Sequence, residues 1–485
     1  MPSQAKKITF DTAALFTAKV LSLLLGIVRL KYIAIYLGVS TFGIYTFATY
    51  FVAMFGILFD LGISQIMTRD IAADRSRSRD YVFNGLLLKL LLFILTSLII
   101  TVVIVMSHFD KITNQAIVFS VFITGINSFT LIFTSTFQAH RRMKLVSLIT
   151  VATDLTTSVA IIFLLLRGYG LPGLLMGSTV ASLTIFLSAL IVCQKICGGV
   201  RTEPNPKLWR YLVVEGYPAA LGSLGFVLYM YLTSSLLKYL RGDEIAGFYN
   251  AAFKIITILT IVPVSFTPVI YPFFAELHHS DKNKLKAVLT SSVRYMLIIS
   301  IPLCFGTILV AKKIIISLYT QAFLPAAIPL QILIVSSMFG YPNYVLYTFL
   351  PAIGKQRFTM FVTIPFGVII AVLNYILIPI YGYLVPSISL AVVEIMVFLS
   401  AFLYLRRIGI SLNLLNLFYK PVTASVLMAL PVYMLSAYNI FFQIGTGIIV
   451  YFVAFYLLRG IMPEDKLILY KIIPSPIREL MIKNL

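Results

Sequence analysis

The sequence has little charge, and this shortage excludes whole classes of protein. Only 11% of its 485 residues are Asp, Glu, Lys or Arg, whereas 60% are hydrophobic. A soluble domain carries about 25% charged residues. The chain could not cover its apolar surface in water, so both a soluble enzyme and a disordered chain are excluded.

The sequence also lacks the motifs of covalent or nucleotide chemistry. It contains neither a G-x-x-x-x-G-K-[ST] loop nor a G-x-S-x-G elbow. Cys193 and Cys197 lie one helical turn apart without a neighbouring histidine, which favours packing over zinc binding. No connection between apolar runs is long enough to form a catalytic domain. The sequence therefore predicts no catalytic residues, no cofactor and no metal.

What the sequence has in abundance is long apolar runs. A membrane-spanning helix needs about 20 apolar residues, and turn or charge punctuation divides the chain into fourteen such runs. The sequence predicts an all-α polytopic membrane protein. The predicted spans are 8–36, 41–66, 82–106, 114–138, 145–166, 173–196, 211–238, 246–274, 288–311, 327–350, 358–380, 386–406, 419–438 and 443–460.

The net charge of +21 follows from where the basic residues lie. Connections that would share one side of the membrane with both termini carry 26 Lys and Arg, and the opposite connections carry six. This asymmetry predicts cytoplasmic termini. No basic block with interleaved aromatic residues is present, so nucleic acid is not an expected partner.

An internal repeat appears when the chain is shifted by 204 residues. The segment from Gly38 to Ala48 then aligns with that from Gly242 to Ala252, and Asp11 aligns with Glu215. The pattern predicts two six-helix lobes in parallel orientation, plus two C-terminal helices. The expected division is 1–206, 207–410 and 411–485, the last with a cytoplasmic tail.

Basic residues inside spans are functional candidates, because a charge in hydrocarbon is costly unless it faces a cavity or a partner. Lys19 and Arg29 share a polar face of the first span with Asp11, Ser22 and Gly26. This face lines either a hydrated cavity or a buried ionic seam. Lys254 lies on a polar face of the eighth span, whereas Lys89 and Arg294 line a vestibule or extend to the interface.

Four intramembrane acids are candidates for ion coupling. They are Asp60, Asp154, Glu215 and Glu394. A desolvated carboxylate binds a proton or sodium readily, but it serves equally well as the partner of a lysine or arginine. Both interpretations remain open for each of them.

Four motifs resemble a known family. The segment Leu37–Tyr45 (LGVSTFGIY) is followed by Asp60–Ile63 (DLGI) and Arg69–Ala72 (RDIA), and the second half contains Gly247–Lys254 (GFYNAAFK). Together they resemble the Wzx-type polysaccharide flippases of the multidrug/oligosaccharidyl-lipid/polysaccharide (MOP) exporter superfamily. The likeness covers essentially the whole chain.

The resemblance implies a flippase of the inner cell membrane. Its cargo would be a polyprenyl-pyrophosphate-linked oligosaccharide for O-antigen, capsule or exopolysaccharide assembly. A polysaccharide polymerase, a chain-length regulator and membrane lipids are the implied partners. The anionic headgroup would then contact the basic residues Lys19, Arg29, Lys89, Lys254 and Arg294. The alternatives are a cation-coupled multidrug antiporter and, less favoured, a membrane-embedded polymerase or glycosyltransferase.

Overall fold

The computed structural model describes residues 2–199 and 203–460. Within them, the side chains of residues 2–16, of several α8 positions including 221–226, and of 279 and 360 lie outside the description, as does the predicted tail beyond 460. The helices are α1 Pro2–Met54, α2 Gly56–Asp60, α3 Ile63–Ala73, α4 Ser78–Ser107, α5 Lys111–Ala139, α6 Met143–Leu166, α7 Gly170–Cys197, α8 Pro206–Arg241, α9 Asp243–Leu259, α10 Ile261–Ser280, α11 Lys282–Leu318, α12 Ala327–Ala352, α13 Gln356–Tyr381, α14 Val385–Arg407, α15 Leu414–Met434 and α16 Ile440–Leu457.

These helices confirm the predicted all-α polytopic membrane protein. Eleven helical segments of the described residues are long and apolar enough to cross a membrane. Gln356–Arg407 contains two of the predicted spans, whereas Thr17–Met54 contains most of the first span and the beginning of the second. The seventh predicted span lies in α8, which is not among the eleven. Each of the fourteen predicted spans therefore lies mainly on helices.

The second predicted span is not the continuous helix that its apolar run suggests. It continues α1 to Met54, and then the short helix α2 intervenes before α3. Leu61 and Gly62 separate α2 from α3, and both adopt left-handed backbone conformations with φ of 45° and 75°. Only glycine adopts this region without strain. Hydropathy alone does not reveal such a break.

The repeat is visible in the backbone at Gly38 and Gly242, which lie 204 residues apart. Gly38 interrupts α1 with φ 68° and ψ 179°, and Gly242 separates α8 from α9 with φ 85° and ψ −179°. This conformation is essentially restricted to glycine. The preceding helices also begin at matching positions, Pro2 and Pro206. We refer to these matched halves as the first and second repeat.

The two repeats meet closely where the second half of α1 lies beside α9. A Cβ on Gly43 would fall 2.0 Å from the carbonyl oxygen of Asp243, and one on Gly247 would fall 2.4 Å from that of Val39. These two contacts are repeat-equivalent, because both numbers shift by 204. Such reciprocity is what a two-fold axis parallel to the helices produces.

The connection between the repeats is attached to α4. Asn84 is buried; its Oδ1 accepts hydrogen bonds from the backbone N–H of Asn205 at 2.6 Å and from Trp209 Nε1 at 2.8 Å. Its Nδ2 donates to the carbonyl of Glu203 at 3.3 Å. The start of α8 is thereby held against the first repeat.

The described residues form two compact units. One contains residues within 2–265, 315–333 and 354–393, and its core includes Met67, Tyr81, Phe133 and Leu212. The other contains 266–314, 334–353 and residues from 394 onward, with a core in which α15 and α16 pack on α11. The proposed lobe boundaries at 206 and 410 stay a prediction.

Candidate functional site

A cavity of about 180 Å³ lies between the two halves of α1 and α9. Ile33 and Phe42, on either side of Gly38, both line it, so the break at this glycine brings the second half of α1 back beside the first. The first half of α1 contributes part of its predicted polar face, and α9 contributes one cation. The polar lining residues are Ser22, Arg29, Tyr45, Thr46, Thr49, Tyr50 and Lys254.

The cavity is electropositive. Arg29 and Lys254 line it together, and within the described part of the chain no carboxylate does. Arg29 has an ion pair behind the cavity lining, where its Nη1 lies 3.6 Å from Oδ1 of Asp154 on α6. The Lys254 ammonium has no hydrogen-bond or ion-pair partner among the described residues. Two cations that line one cavity repel each other, so an anion placed between them would be stabilised.

Two hydroxyl groups in the lining also lack partners. The Ser22 Oγ and the Tyr50 OH are buried and make no hydrogen bond with any described residue. The ring of Tyr50 is fixed by stacking on Tyr231, with centroids 5.5 Å apart, and by an edge contact with Phe253. Buried polar atoms in native proteins are nearly always hydrogen-bonded. These hydroxyls are therefore available to a polar ligand.

A neutral hydrogen-bond network fixes the cavity wall. Thr46 lines the cavity and accepts a hydrogen bond from Asn250 Nδ2 at 2.9 Å, while Ser234 Oγ donates to Asn250 Oδ1 at 2.8 Å. Thr46 and Asn250 are repeat-equivalent positions. The network joins α1, α8 and α9, and it satisfies Asn250, which is fully buried. The network thereby fixes the second half of α1 against α9, the two segments that contribute Thr46 and Lys254 to the lining.

Lys89, predicted to contact the headgroup, lies in a buried ion pair instead of the cavity lining. Its side chain is fully buried, and its Nζ lies 2.5 Å from Asp60 Oδ1. It also donates to Ser64 Oγ at 3.0 Å and to the Ser128 carbonyl at 2.6 Å. These contacts surround the break between α2 and α3. Of the two interpretations open for Asp60, ion coupling or pairing with a basic residue, this arrangement corresponds to pairing.

The remaining predicted site residues lie elsewhere. Glu215 pairs with Arg69 at 3.3 Å, and Glu394 accepts a hydrogen bond from Asn343 at 2.7 Å. Arg294 is buried in α11 with its guanidinium over the ring of Tyr295. Lys19 is half-buried on α1 and does not line the cavity. Asp11 belongs to the side chains outside the description. The site role of each stays a prediction.

Sequence reasoning missed the contribution of the second half of α1. Tyr45, Thr49 and Tyr50 line the cavity but are uncharged, so a search for intramembrane ions passes over them. One signal was present, because Tyr50 is the repeat equivalent of Lys254. Mapping each charged position onto the other repeat would have identified it.

The fold and this cavity define a polytopic helical membrane protein with an internal polar site. The family model described as "Polysaccharide biosynthesis protein" matches residues 8–278, and the chain belongs to this family. The match includes both cavity cations and confirms the family resemblance of the motifs. A search of curated proteins finds no match.

Solved structures of MOP transporters share the fold. The chain is similar to "Lipid II flippase MurJ, inward closed conformation", with TM-score 0.72 and 16% identity over 93% of this chain and 98% of that one. It is also similar to an inward-facing MATE family transporter of the MOP superfamily, with TM-score 0.69 and 14% identity over 82% and 98%. A third similar structure is a MOP superfamily transporter from Pyrococcus furiosus, described as having "reverse polarity of binding pocket", with TM-score 0.59 and 14% identity over 83% of this chain and 95% of that one.

Proposed function

We propose that the protein moves a lipid-(pyro)phosphate-linked oligosaccharide from the cytoplasmic to the outer leaflet by alternating access. The cargo would serve O-antigen, capsule or exopolysaccharide biosynthesis. The observation that carries the proposal is the cavity in which Arg29 and Lys254 face unpartnered hydroxyls. The family membership and the fold of the protein support the same class of activity.

The chemistry of the cavity suits the charged end of such a cargo. A diphosphate brings negative charge and several acceptor oxygens, which match a guanidinium, an ammonium and two hydroxyl donors. A cationic drug would instead need carboxylates in the lining, and the described lining has none. This contrast favours a flippase over a multidrug antiporter.

The volume limits what the cavity holds at one time. Small-molecule sites typically measure about 300–1,000 Å³, whereas this cavity measures about 180 Å³. It therefore accommodates the diphosphate and part of the first sugar, with Tyr45 and Tyr50 as apolar walls for the sugar. The rest of the oligosaccharide requires a wider state, and the lipid tail stays in the bilayer.

The wider setting follows from the sequence. We infer location in the inner membrane, cytoplasmic termini, and two six-helix lobes within 1–206 and 207–410 that move around the cavity. The protein acts as a transporter and not as an enzyme, in association with a polymerase and a chain-length regulator. Lys19 and Arg294 are proposed to guide the headgroup on its path. Glu215 and Glu394 remain the candidates for ion coupling.

Charge removal at the cavity tests the proposal. We expect Arg29→Gln and Lys254→Gln to lower surface polysaccharide at least about tenfold at equal protein level, since each removes a charge-assisted contact worth about 1.5–3 kcal/mol. Lys31→Gln is the matched control, because Lys31 is exposed on the same helix outside the cavity. Undiminished export by both cavity variants would refute the assignment.

A further inference from the structure

Asp154 stands next to the cavity without lining it. Its Oδ1 lies 3.6 Å from Arg29 Nη1, and the two side chains are 27% and 23% exposed. This distance exceeds that of a hydrogen bond, so the contact is an ion pair only. Neither residue has a hydrogen-bond partner among the described residues, and the donors of Arg29 remain available.

Such a contact is weak compared with what a phosphate offers. A partly exposed ion pair without hydrogen bonds contributes about 0–1 kcal/mol. A guanidinium binds phosphate oxygens through two parallel charge-assisted hydrogen bonds, which are both shorter and stronger. An entering diphosphate can therefore displace Asp154 from Arg29, and the carboxylate can recover Arg29 when the diphosphate leaves.

We infer that Asp154 is a built-in competitor for the headgroup, a positioning residue that holds Arg29 in the empty cavity and promotes release of the bound diphosphate. The inference rests on the proposed function and adds a role that the cavity lining alone does not show. Without a competitor, two cations would bind a diphosphate tightly and release it slowly. With Asp154 in place, binding is weaker and each transport cycle can end.

This role predicts opposite effects on binding and on export. In Asp154→Asn, the affinity of the purified full-length protein for farnesyl diphosphate in detergent rises about twofold to fivefold, because the competing charge is absent. Polysaccharide export by the same variant falls, since release becomes slower. Calorimetry measures the first effect, and surface polysaccharide at equal protein level measures the second.

Two further variants separate competition from a merely structural contact. Asp154→Glu retains the charge and is expected to restore wild-type affinity and export. Ser158→Ala, at a buried position one helical turn further along α6, is expected to change neither. A simple loss of helix packing would weaken binding in Asp154→Asn and would not be rescued selectively by glutamate.

A double-mutant cycle locates the effect at Arg29. In the Arg29→Gln background, Asp154→Asn should leave the affinity unchanged, whereas in the Lys254→Gln background it should still raise it. Unchanged or weaker binding in Asp154→Asn, or the same gain in the Arg29→Gln background, would overturn the inference. Absence of binding by the wild-type protein, together with normal export by the cavity variants, would instead refute the proposed function.

Discussion

The two repeats join equivalent helices by different chemistry. In the first repeat, Arg29 on α1 pairs with Asp154 on α6. In the second, the equivalent of Arg29 is Thr233 on α8, which accepts a hydrogen bond from Asn374 on α13 at 3.1 Å. Ser389 donates to the same asparagine at 2.8 Å. A charged contact on one side thus corresponds to a neutral contact on the other.

The comparison separates features that the two repeats share from features in which they differ. Backbone features such as Gly38 and Gly242 are the same in both repeats, because both helix pairs need the same reversal. Side chains facing the cavity have diverged, and the first repeat contributes Arg29 where the second has a threonine that is already hydrogen-bonded. The neutral side is suited to stability, and the charged side is suited to binding an ion.

The largest expected effect concerns another ion pair of the first repeat, the buried pair of Lys89 with Asp60. Asp60→Asn leaves a fully buried lysine without its counter-charge, and breaking a buried pair in this way typically costs about 3–5 kcal/mol. We expect a markedly lower Tm in detergent and a lower protein level. The double variant Asp60→Asn/Lys89→Met should recover much of the loss. An unchanged Tm in Asp60→Asn would show that the pair is not needed for folding.

The repeat-equivalent glycines give the next effect. Gly38→Ala and Gly242→Ala should each lower the free energy of unfolding by about 1–3 kcal/mol, because alanine disfavours their backbone conformation. Gly445→Ala is the control, since Gly445 lies inside α16 with open space around it. Thermal unfolding of the three variants measures the comparison. If all three variants were equally stable, the backbone conformations of Gly38 and Gly242 would not disfavour alanine, and the prediction would be wrong.

A smaller effect is expected at the neutral contact. Thr233→Val removes the acceptor for Asn374 and should lower the free energy of unfolding by about 1 kcal/mol. Export should stay within about twofold of wild type, because a loss of this size leaves most of the protein folded. The same assay applied to Arg29→Gln provides the contrast. A loss of export in Thr233→Val as large as that in Arg29→Gln would break the distinction between the repeats.

Much of the architecture could be predicted from the sequence, since apolar runs report directly on burial in lipid. The partners of the charges could not. Arg29 and Asp154 are separated by more than a hundred residues, and nothing local indicates that α6 lies against α1. The break at Leu61–Gly62 was also missed, because a left-handed leucine leaves no trace in hydropathy.

The cavity was predicted in part for a related physical reason. Helical periodicity placed Ser22, Gly26 and Arg29 on one face, and all three line the cavity. Lys89 has the same residue type and a similar depth, yet it is satisfied by Asp60, Ser64 and Ser128. The sequence does not distinguish a lysine without a partner in the described part of the protein, such as Lys254, from a lysine that is already in an ion pair, such as Lys89.

The smallest expected effect lies at the turn before α11. Asp281 accepts the backbone N–H groups of Lys284 and Asn283, both at 3.0 Å, and the Lys284 N–H in particular lowers the pKa of its carboxyl. A lowered pKa contributes stability above the ordinary aspartate pKa, and that contribution is lost as the pH falls through the folded value. Asp281→Asn should therefore cause a slight fall in Tm at neutral pH and none in strong acid. An equal fall in Tm at neutral and at acidic pH would show that the effect does not come from the ionised carboxylate of Asp281.

The attachment of Trp209 to Asn84 has a practical consequence. The chain contains a single tryptophan, so the intrinsic indole fluorescence of the whole protein reports on one place, the junction between the repeats. Any rearrangement that pulls α8 away from α4 must alter the environment of this indole. The protein therefore carries its own optical reporter, and motion at the junction can be followed in unlabelled wild-type material.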